Sequence, residues 1–277
     1  MKQSAFLPEL RMLPTELLVP HEECDPRRVH RLSERIRKEG ILKNPPIVAV
    51  IPGDEKYVVL DGANRVMAFV EMQIPHIVAQ LVDYDDPDLV LDTWYHVVSG
   101  IALEEFEDAL LSVSDLCLTE CSLEEARCEL NANQTVAYIV SEDGVRLVDC
   151  PDGQKHSREI LVDIVNAYKG RADIYRASND IWEKQKPYYP EITALVVFPR
   201  YRPADILYCA QNGFKVPTGI TRHIIPARAL NINIPLKVLD ADESLENKRE
   251  WLNSWLMDRM AANAIRYYAE STFSFNE

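Results

Sequence analysis

The sequence predicts an α+β fold, which is described equally well as mixed α/β, in two domains. Short apolar runs alternate with helix-like patterns in the first part of the chain. A hairpin pattern follows in the middle, and a long helix-like pattern stands near the C-terminus. A chain of 277 residues is long enough for two domains that each bury a core. We therefore expect domains over residues 1–115 and 116–277.

The first helix has clear start and stop signals. Asp25-Pro26 offers an N-cap residue followed by a proline at the first helical position. Val29, Leu32 and Ile36 then recur on one helical face, and Gly40 ends the pattern. The sequence therefore predicts a helix that begins at the proline and ends at the glycine.

Two strands, a helix and a third strand follow in close succession. The runs 47–51 and 57–60 read as strands on either side of the turn Pro52-Gly53-Asp54. A helix is expected from about residue 64 to 72 and a further strand over 77–82. This order places an acidic turn directly between a strand and a helix.

The stretch after the last of these strands reads as helical. Phe106, Leu110 and Val113 are spaced as on one face of a helix. Ser122 and Glu125 have the spacing of a capping box, which indicates that another helix begins after the serine.

The middle of the chain reads as a hairpin followed by a helix. The apolar runs TVAYIVS and VRLVDC flank Glu142-Asp143-Gly144, which is a suitable hairpin turn. A helix fits residues 158–168, and Gly170 closes it.

The last part of the chain mixes strands and helices. The run 192–198 reads as a strand, and a helix is expected between Pro203 and Gly213. The alternating apolar residues of LNINIPL (230–236) predict another strand. A long C-terminal helix is predicted by the apolar residues Trp251, Leu252, Trp255, Leu256 and Met260.

Charge and hydropathy exclude several classes of protein. No apolar run approaches the roughly 20 residues that a membrane-spanning helix needs. The N-terminus lacks the long apolar stretch of a secretory signal, so we expect a cytoplasmic protein. The net charge of −14, from 30 basic and 44 acidic residues, argues against a protein that binds duplex DNA through a basic face.

The six cysteines are interpreted as ordinary reduced thiols. A disulfide framework is not expected in a chain of this size without a secretion signal. Cys117, Cys121 and Cys128 could share part of a helical face, which would be compatible with a metal site. Their spacing matches no common zinc or iron–sulfur pattern, and no histidine lies close in sequence.

The junction DGANR (61–65) is the first candidate site. A strand that runs directly into a helix leaves backbone N–H groups unpaired, and together with the helix dipole they favour a phosphate group. Gly62 permits close backbone approach, and Arg65 offers a guanidinium group suited to phosphate oxygens. Asp61 could hold Mg²⁺. The same residues are compatible with a plain turn and an exposed arginine.

Three further segments carry candidate residues. His21-Glu22-Glu23 lies in a loop before the first helix, where it is either a catalytic carboxylate segment or a solvated acidic loop. Trp94 and His96 fit the wall of a small-molecule pocket or a closed core. The loop PTGITRH (217–223) offers hydroxyl groups, an arginine and a histidine, which suit a carboxylate or a phosphate but also occur in ordinary polar loops.

These motifs carry a resemblance in their order and spacing. The succession helix, G-I-L-x-x-P-P-I-V, strand, DGxxR, helix, strand resembles the ParB/sulfiredoxin-like fold. HEE, DGANR, TWYH, VPTGITRH, LNINIPLKVL and the final WLNSWLMDRMAANAIRYY together resemble the free L-serine kinase family. Within that family the sequence is similar to the serine kinases that supply O-phospho-L-serine for staphyloferrin B biosynthesis. The resemblance spans roughly residues 10 to 270.

The resemblance implies phosphoryl transfer from ATP or ADP, with Mg²⁺, to the hydroxyl group of free L-serine. It implies that domain 1–115 binds the nucleotide and that domain 116–277 completes the substrate cleft. The catalytic glutamate of the family falls on Glu22, and its neighbour Glu23 is the alternative base. A biosynthetic pathway such as siderophore or diaminopropionate formation would use the product.

The remaining site residues are also implied by the resemblance. The family segment D-G-x-H-R falls on Asp61, a catalytic and metal-binding residue, and on nucleotide-binding Gly62, Ala63, Asn64 and Arg65. Asn64 replaces the histidine of the family, and an amide can donate a hydrogen bond but carries no positive charge.

The substrate side is implied less directly. Trp94 and the segment Thr221-Arg222-His223 match positions on the substrate side of the cleft. The alternative functions are a ParB-like nucleotide sensor and a DNA-associated regulator without kinase activity. The acidic charge and the lack of an evident basic recognition helix argue against the regulator.

Overall fold

The computed structural model describes residues 7–150 and 158–268, which divide into two compact units. Unit 1 takes residues 7–90, 207–214 and 223–268. Unit 2 takes residues 91–150, 158–206 and 215–222. Residue 115, the predicted domain boundary, lies within unit 2, and the predicted roles of the two domains stay predictions.

The strands of the described residues are, in chain order, β1 Glu9–Pro14, β2 Leu18–Pro20, β3 Ile41–Leu42, β4 Ile47–Val50, β5 Tyr57–Asp61, β6 His76–Leu81, β7 Val90–Thr93, β8 Tyr95–Ser99, β9 Cys117–Cys121, β10 Ala137–Ser141, β11 Gly144–Asp149, β12 Asp173–Ala177, β13 Ile192–Val197, β14 Thr221–Ile224 and β15 Ile234–Pro235. The helices are α1 Pro26–Glu39, α2 Ala63–Glu71, α3 Leu103–Leu111, α4 Leu123–Asn131, α5 Arg158–Tyr168, α6 Trp182–Gln185, α7 Pro203–Asn212, α8 Leu236–Leu239 and α9 Leu245–Ala261, and a 3₁₀ turn spans Thr15–Leu17. None of these helices is both long and apolar enough to cross a membrane.

Unit 1 contains a five-stranded sheet in the order β1-β6-β4-β5-β2. The sheet is mixed: β1 and β6 are antiparallel, as are β4 and β5, whereas β2 runs parallel to β5 and β4 parallel to β6. Helices α1 and α2 pack against each other beside it. The core of this unit includes the buried residues Met12, Val48, Val59, Phe69 and Ile77. Strands β4, β5 and β6 are buried on both faces over most of their length, which explains why they read as continuous apolar runs.

The first helix of unit 1 is confirmed with its caps. The side chain of Asp25 accepts a hydrogen bond of 2.9 Å from the backbone N–H of Arg27. Gly40 ends α1 in the left-handed conformation, at φ +68°, where a side chain would be strained. The strands predicted at 47–51, 57–60 and 77–82 are also present, each within one residue at either end.

Unit 2 contains a six-stranded sheet in the order β12-β8-β13-β10-β11-β9, in which every neighbouring pair is antiparallel. The predicted hairpin is confirmed as β10 and β11, which pair from Ala137 with Val148 to Ser141 with Gly144. The capping prediction at α4 is confirmed too, because Ser122 accepts a 3.1 Å hydrogen bond from the backbone N–H of Glu125. The predicted helices at 158–168 and after Pro203 are present as α5 and α7.

Two predictions of helical structure in unit 2 are wrong. The stretch after the third predicted strand is not helical throughout, because it contains β7 and β8 before α3 begins. Strand β8 lies between two other strands and is buried on both faces, so its sequence lacks the alternation that marks a half-buried strand. Cys117 and Cys121 lie at the two ends of strand β9 and Cys128 lies on α4, so the three cysteines share no helical face.

The strand predicted for LNINIPL is wrong over most of its length. Asn231 and Asn233 adopt the left-handed conformation, at φ +54° and +50°, and only Ile234–Pro235 pairs, with Ile41–Leu42. Asparagine tolerates this conformation better than most residues. Ile232 and Ile234 are nevertheless buried in the core of unit 1. The alternating pattern therefore predicted the burial of the two isoleucines correctly, but Leu230 is exposed and the backbone between these residues is not extended.

Candidate active site

Parallel pairing in unit 1 brings two candidate segments to one edge of the sheet. Strands β2 and β5 run side by side, with Pro20 opposite Val59. The carboxyl ends of parallel strands meet at the same edge, so the residues that follow β2 and those that end β5 are neighbours. If the register continues for two residues, Glu22 lies opposite Asp61. The pairing of β2 with β5 thus places the start of the predicted catalytic loop, which follows β2, beside the end of β5, where the DGANR junction begins.

His21 fixes the loop that carries the glutamates. The ring of His21 is buried, and its Nδ1 donates a hydrogen bond of 2.7 Å to the carbonyl oxygen of Val59 on β5. Because a buried hydrogen bond is costly to leave unmade, this contact holds the segment against the strand. Glu22 and Glu23 are both half-buried at this place. The imidazole next to Glu22 therefore has a positioning role that the sequence did not reveal.

His223 lies in unit 1 beside His21. The two rings meet edge to face with their centroids 5.4 Å apart, and Nε2 of His223 is 2.8 Å from the hydroxyl oxygen of Tyr84. Burial, and after it the charge of the neighbouring His21, lower the pKa of His223 to about 3, while a polar contact with the backbone of Leu60 acts in the opposite direction. His223 is therefore a neutral imidazole at physiological pH. Its buried Nδ1 has no hydrogen-bond partner of ordinary geometry within the described residues.

Gly62 shapes the junction between β5 and α2. It adopts φ +90°, and a Cβ atom added there would lie 2.9 Å from Nη1 of Arg65 and 3.1 Å from Cα of Pro46. Only glycine fits both the backbone conformation and this space. The same Nη1 donates a hydrogen bond of 2.7 Å to the carbonyl oxygen of Pro45. The guanidinium group of Arg65 is therefore held directly over the start of α2.

The first turn of α2 leaves donors for a ligand. The N–H groups of Arg65 and Val66 donate to the carbonyl oxygen of Gly62 at 2.9 and 3.0 Å. The first N–H groups of a helix have no partner within it, so those of Ala63 and Asn64 are the ones left to hold an anion. Oδ1 of Asn64 is buried without a hydrogen-bond partner among the described residues. Such an atom is costly unless a ligand or a water molecule donates to it.

Asp61 has a partner that the sequence analysis missed. Nη2 of Arg228 donates a hydrogen bond of 2.6 Å to Oδ2 of Asp61, and both side chains are partly exposed. Arg228 follows the TRH segment by five residues. This closeness to a candidate substrate segment is the one feature of the sequence that could have indicated a role for Arg228. A carboxylate with one oxygen held by arginine can still offer its other oxygen to Mg²⁺ that arrives with nucleotide phosphates. The described residues contain no cluster of three or more His, Cys, Asp or Glu that could hold a metal by itself.

The other predicted substrate residues lie in unit 2. The guanidinium carbon of Arg222 lies 4.2 Å from the ring centroid of Trp94, in a cation–π contact. Nη1 of Arg222 is 3.6 Å from Oδ2 of Asp92, and the N–H of Trp94 donates to the carbonyl oxygen of Ile220 at 2.7 Å. Thr221, next to Arg222, is buried. The structure thus brings Trp94, Thr221 and Arg222 together.

Trp94 also lines a cavity of about 570 Å³ within unit 2. Two cations that the sequence analysis missed, Arg176 and Lys184, line it as well. The guanidinium group of Arg176 packs against Gly219, where a Cβ atom would lie 2.9 Å from its Nη2. Gly219 belongs to the PTGITRH loop, so the glycine of that segment makes room for an arginine from β12.

His96 belongs to the interior of unit 2. It is buried, and its Nδ1 lies 2.8 Å from the hydroxyl oxygen of Tyr168, while its ring meets that of Phe198 edge to face. Burial lowers the pKa of His96 to about 4, and the charge of Arg176 adds to this. The sequence left open whether Trp94 and His96 belong to a pocket wall or to a closed core. His96 belongs to the core, whereas Trp94 belongs to the wall of a cavity.

Comparison with known proteins identifies the family. The chain is 40% identical over 239 residues to an ATP-dependent L-serine kinase of Staphylothermus marinus, and the match covers 82% of this chain and 90% of that protein. The chain belongs to the L-serine kinase family. It is also 23% identical over 268 residues to the ATP-dependent L-serine kinase SbnI of Staphylococcus aureus, which covers 95% of this chain and 96% of SbnI. No family model matches the sequence.

The fold agrees with that of solved serine kinases. The structure of a free serine kinase in complex with AMP superposes with a TM-score of 0.73 at 17% identity, over 86% of this chain and 98% of that one. The chain thus has the mixed α/β fold of these kinases, as the sequence predicted. The sequence resemblance to the family is confirmed, and the roles of individual residues remain proposals.

Proposed function

We propose that this member of the serine kinase family transfers the terminal phosphoryl group of ATP to the hydroxyl group of free L-serine, giving O-phospho-L-serine and ADP. The observation that carries the proposal is the parallel register of β2 and β5, which pairs Pro20 with Val59 and supports a position for Glu22, two residues further on, at the sheet edge where the DGANR junction begins. A carboxylate base and a phosphate-binding helix start are the two parts that such a transfer needs first. ATP is favoured over ADP as the donor by the 40% identical relative.

The nucleotide phosphates are assigned to the start of α2. The N–H groups of Ala63 and Asn64, the backbone of Gly62 and the guanidinium group of Arg65 all lie at this junction. Helix dipole and N–H groups favour the phosphate charge in a chain whose net charge is otherwise −14. Asn64 contributes hydrogen bonds where the family has histidine, without adding a charge.

Asp61 would hold Mg²⁺ through the carboxylate oxygen that Arg228 leaves open. A bound Mg²⁺ would neutralise charge on the phosphates and orient them. Arg228 itself is a second positive group at this place, five residues beyond His223. The arrangement fits an ion that arrives with the nucleotide better than an ion held by the protein alone.

Glu22 is assigned as the general base. As the serine oxygen forms its bond to the terminal phosphorus, the bond from that phosphorus to the bridging oxygen of ADP breaks, and the hydroxyl proton passes to the carboxylate of Glu22. His21 holds the backbone of this loop through its bond to Val59. Glu23, also half-buried, is the alternative base.

We assign recognition of L-serine to Trp94, Thr221, Arg222 and His223. Arg222 is a cation suited to the carboxylate of a free amino acid, and its stacking on Trp94 fixes its plane. His223 offers a neutral ring nitrogen that has no partner of ordinary geometry within the described residues. A free amino acid, unlike a serine in a peptide, brings its own carboxylate to such a site.

The direct test is a product assay. Purified protein would be incubated with Mg²⁺, L-serine and either ATP or ADP, and O-phosphoserine measured by mass spectrometry. We expect product with ATP, a lower rate with L-threonine, and no product without added nucleotide. Nucleotide binding without a phosphorylated product from any small hydroxy acid would favour a sensor instead.

Further features are part of the same proposal. We infer a ParB/sulfiredoxin-like fold and nucleotide binding for residues 1–115, and substrate recognition for residues 116–277. We also infer a cytoplasmic enzyme that supplies O-phosphoserine to a biosynthetic pathway, such as siderophore or diaminopropionate formation. A DNA-associated regulator remains the alternative, and the acidic charge of the chain opposes it.

A further inference from the structure

A second polar cavity, of about 470 Å³, lies within unit 2 near the C-terminal end of α4. None of the residues assigned to phosphate, base or substrate lines it. Its polar lining consists of Tyr95, Arg127, Asn131, Asn133, Tyr138, Asp180 and Arg200. Two arginines in one cavity are notable in a chain that carries 14 more acidic than basic residues.

One wall of this cavity is rigidly built. Nε and Nη2 of Arg127 donate hydrogen bonds of 2.8 and 2.7 Å to the two carboxylate oxygens of Asp180, and the hydroxyl group of Tyr138 donates to the same carboxylate at 2.5 Å. Asp180 and Tyr138 are buried. Arg127 is thereby held in one orientation, and its Nη1 is not used in the bidentate pair. A guanidinium group fixed in this way loses little entropy when it binds a further anion.

The second arginine is not committed to a strong partner. The side chain of Arg200 is 73% exposed, and its ion pair with Asp92 spans 3.9 Å, which is too long for a hydrogen bond. Asp180 neutralises one of the two arginines, so the cavity carries a net positive charge. An exposed pair of this kind contributes little to stability and is readily exchanged for a better partner.

The remaining lining suits a small organic molecule. Leu130, Val197 and Phe198 form apolar parts of the wall, and the amides of Asn131 and Asn133 supply both donors and acceptors. Apolar walls with a few convergent polar groups are typical of small-molecule sites, and the volume lies in their usual range. A compound with anionic groups and a short carbon skeleton matches this lining.

We propose that this cavity is an effector site for a small organic anion that carries carboxylate or phosphate groups. The anion binds Arg127 and Arg200, and its binding draws Arg200 away from Asp92. Asp92 is also the ion-pair partner of Arg222, at 3.6 Å, and Arg222 stacks on Trp94. When the anion is bound, Asp92 therefore has Arg222 as its remaining arginine partner. The stronger pairing with Asp92 weakens the attraction of Arg222 for the serine carboxylate. The effect on serine rests on the proposed function, whereas the binding of the anion does not.

Direct binding is tested with two probes on the full chain. Citrate supplies the carboxylate chemistry and glycerol 3-phosphate supplies the phosphate chemistry, and calorimetry measures each without substrates. We expect millimolar or tighter binding of one probe and a loss of about tenfold in affinity for Arg200→Gln, because a charge-assisted hydrogen bond is removed. Arg202→Gln is the matched control, since this exposed arginine pairs with Asp205 and does not line the cavity.

A second variant fills the cavity without changing its charge. Asn131 is exposed at the last position of α4, so Asn131→Trp should fold normally and block the probe. Failure of both probes to bind the wild-type protein at millimolar concentration, or equal binding to wild type, Arg200→Gln and Asn131→Trp, would overturn the site.

The effect on the enzyme is read from the KM for L-serine. The bound probe should raise this KM by about two- to fivefold, the range that an exposed ion pair can account for. Arg200→Gln without probe should already show the raised KM and should not respond to the probe. Binding that leaves the KM unchanged would overturn the effector role. If the protein proves to have no kinase activity, calorimetry still decides whether the site exists.

Discussion

Arg228 donates a 2.6 Å hydrogen bond to Asp61, although 167 residues separate them in the sequence. The pair places a positive charge at the residue that we assign to Mg²⁺. The positive charge of Arg228 would therefore oppose Mg²⁺ at the other oxygen of this carboxylate, while both cations would attract the nucleotide phosphates. This relationship yields a prediction that the DGANR motif alone would not give.

Replacing Arg228 should change the metal requirement. In Arg228→Gln, Asp61 has no cationic partner at 2.6 Å, so its carboxylate attracts Mg²⁺ more strongly. We expect half-maximal activity at a lower Mg²⁺ concentration, and in Asp61→Asn lower turnover with a weaker Mg²⁺ dependence. Steady-state rates over a Mg²⁺ titration measure both. An unchanged Mg²⁺ dependence in both variants would remove the metal role from Asp61.

Replacing Glu22 should separate binding from chemistry. Glu22→Gln keeps the size of the side chain and loses the base, so turnover should fall by about 10² to 10⁴ while nucleotide and serine still bind. Glu23→Gln is the matched control at the adjacent half-buried position. Rates of O-phosphoserine formation and calorimetry of nucleotide binding give the two readouts. Loss of activity in the Glu23 variant alone would move the base by one residue, and full activity in both would place it elsewhere.

Replacing Arg65 should weaken nucleotide binding. Its guanidinium group lies over Gly62 at the start of α2, so Arg65→Ala removes a charge-assisted contact to phosphate that is worth about 1.5 to 3 kcal/mol. Calorimetry with ATP should show the loss. Arg37→Ala, at an exposed position in the last turn of α1, makes the same change in net charge away from the junction. Equal ATP affinity in both variants and the wild type would contradict the assignment of Arg65 to the nucleotide phosphates.

The protein should not bind duplex DNA tightly at physiological salt. A net charge of −14 offers little of the counterion release that drives non-specific binding. Mobility-shift titrations at several salt concentrations measure this. A salt-dependent shift at sub-micromolar protein would show that a local basic patch overrides the overall charge, and the regulator would become the leading alternative.

The stability of the protein should fall as the pH drops from about 6.5 towards 4. Burial lowers the pKa of His96 to about 4, whereas an unfolded histidine titrates near 6.5. Between pH 6.5 and 4 the unfolded chain binds a proton at His96 that the folded state does not bind. The free energy of unfolding therefore falls by about 1.4 kcal/mol per pH unit in this range.

Urea denaturation at several pH values measures this slope. His96→Gln should flatten the slope between pH 6.5 and 4. His30→Gln is the control, because His30 is exposed and a hydrogen bond with Glu71 raises its pKa. A slope that is unchanged in the His96 variant would show that other groups account for the acid sensitivity.

The sequence by itself determined the local elements whose signals lie within a few residues. Asp25-Pro26 and Gly40 set the ends of α1, Ser122 set the start of α4, and the turn at 142–144 set the hairpin. Caps and turns are formed by hydrogen bonds between residues close in the chain, so the residue types that form them can be recognised directly from the sequence. The motifs of the chain also pointed to the serine kinase family, which the 40% identical relative confirms.

Only the tertiary structure decided which distant residues meet. The burial of β8 on both faces removed the alternation that would have marked it as a strand, and LNINIPL buries its isoleucines without forming one. The anchoring of His21 by Val59, the pairing of Arg228 with Asp61 and the packing of Arg176 on Gly219 join segments far apart in the chain. Such contacts depend on strand register and on the path of whole units, and a single sequence carries no local signal for either.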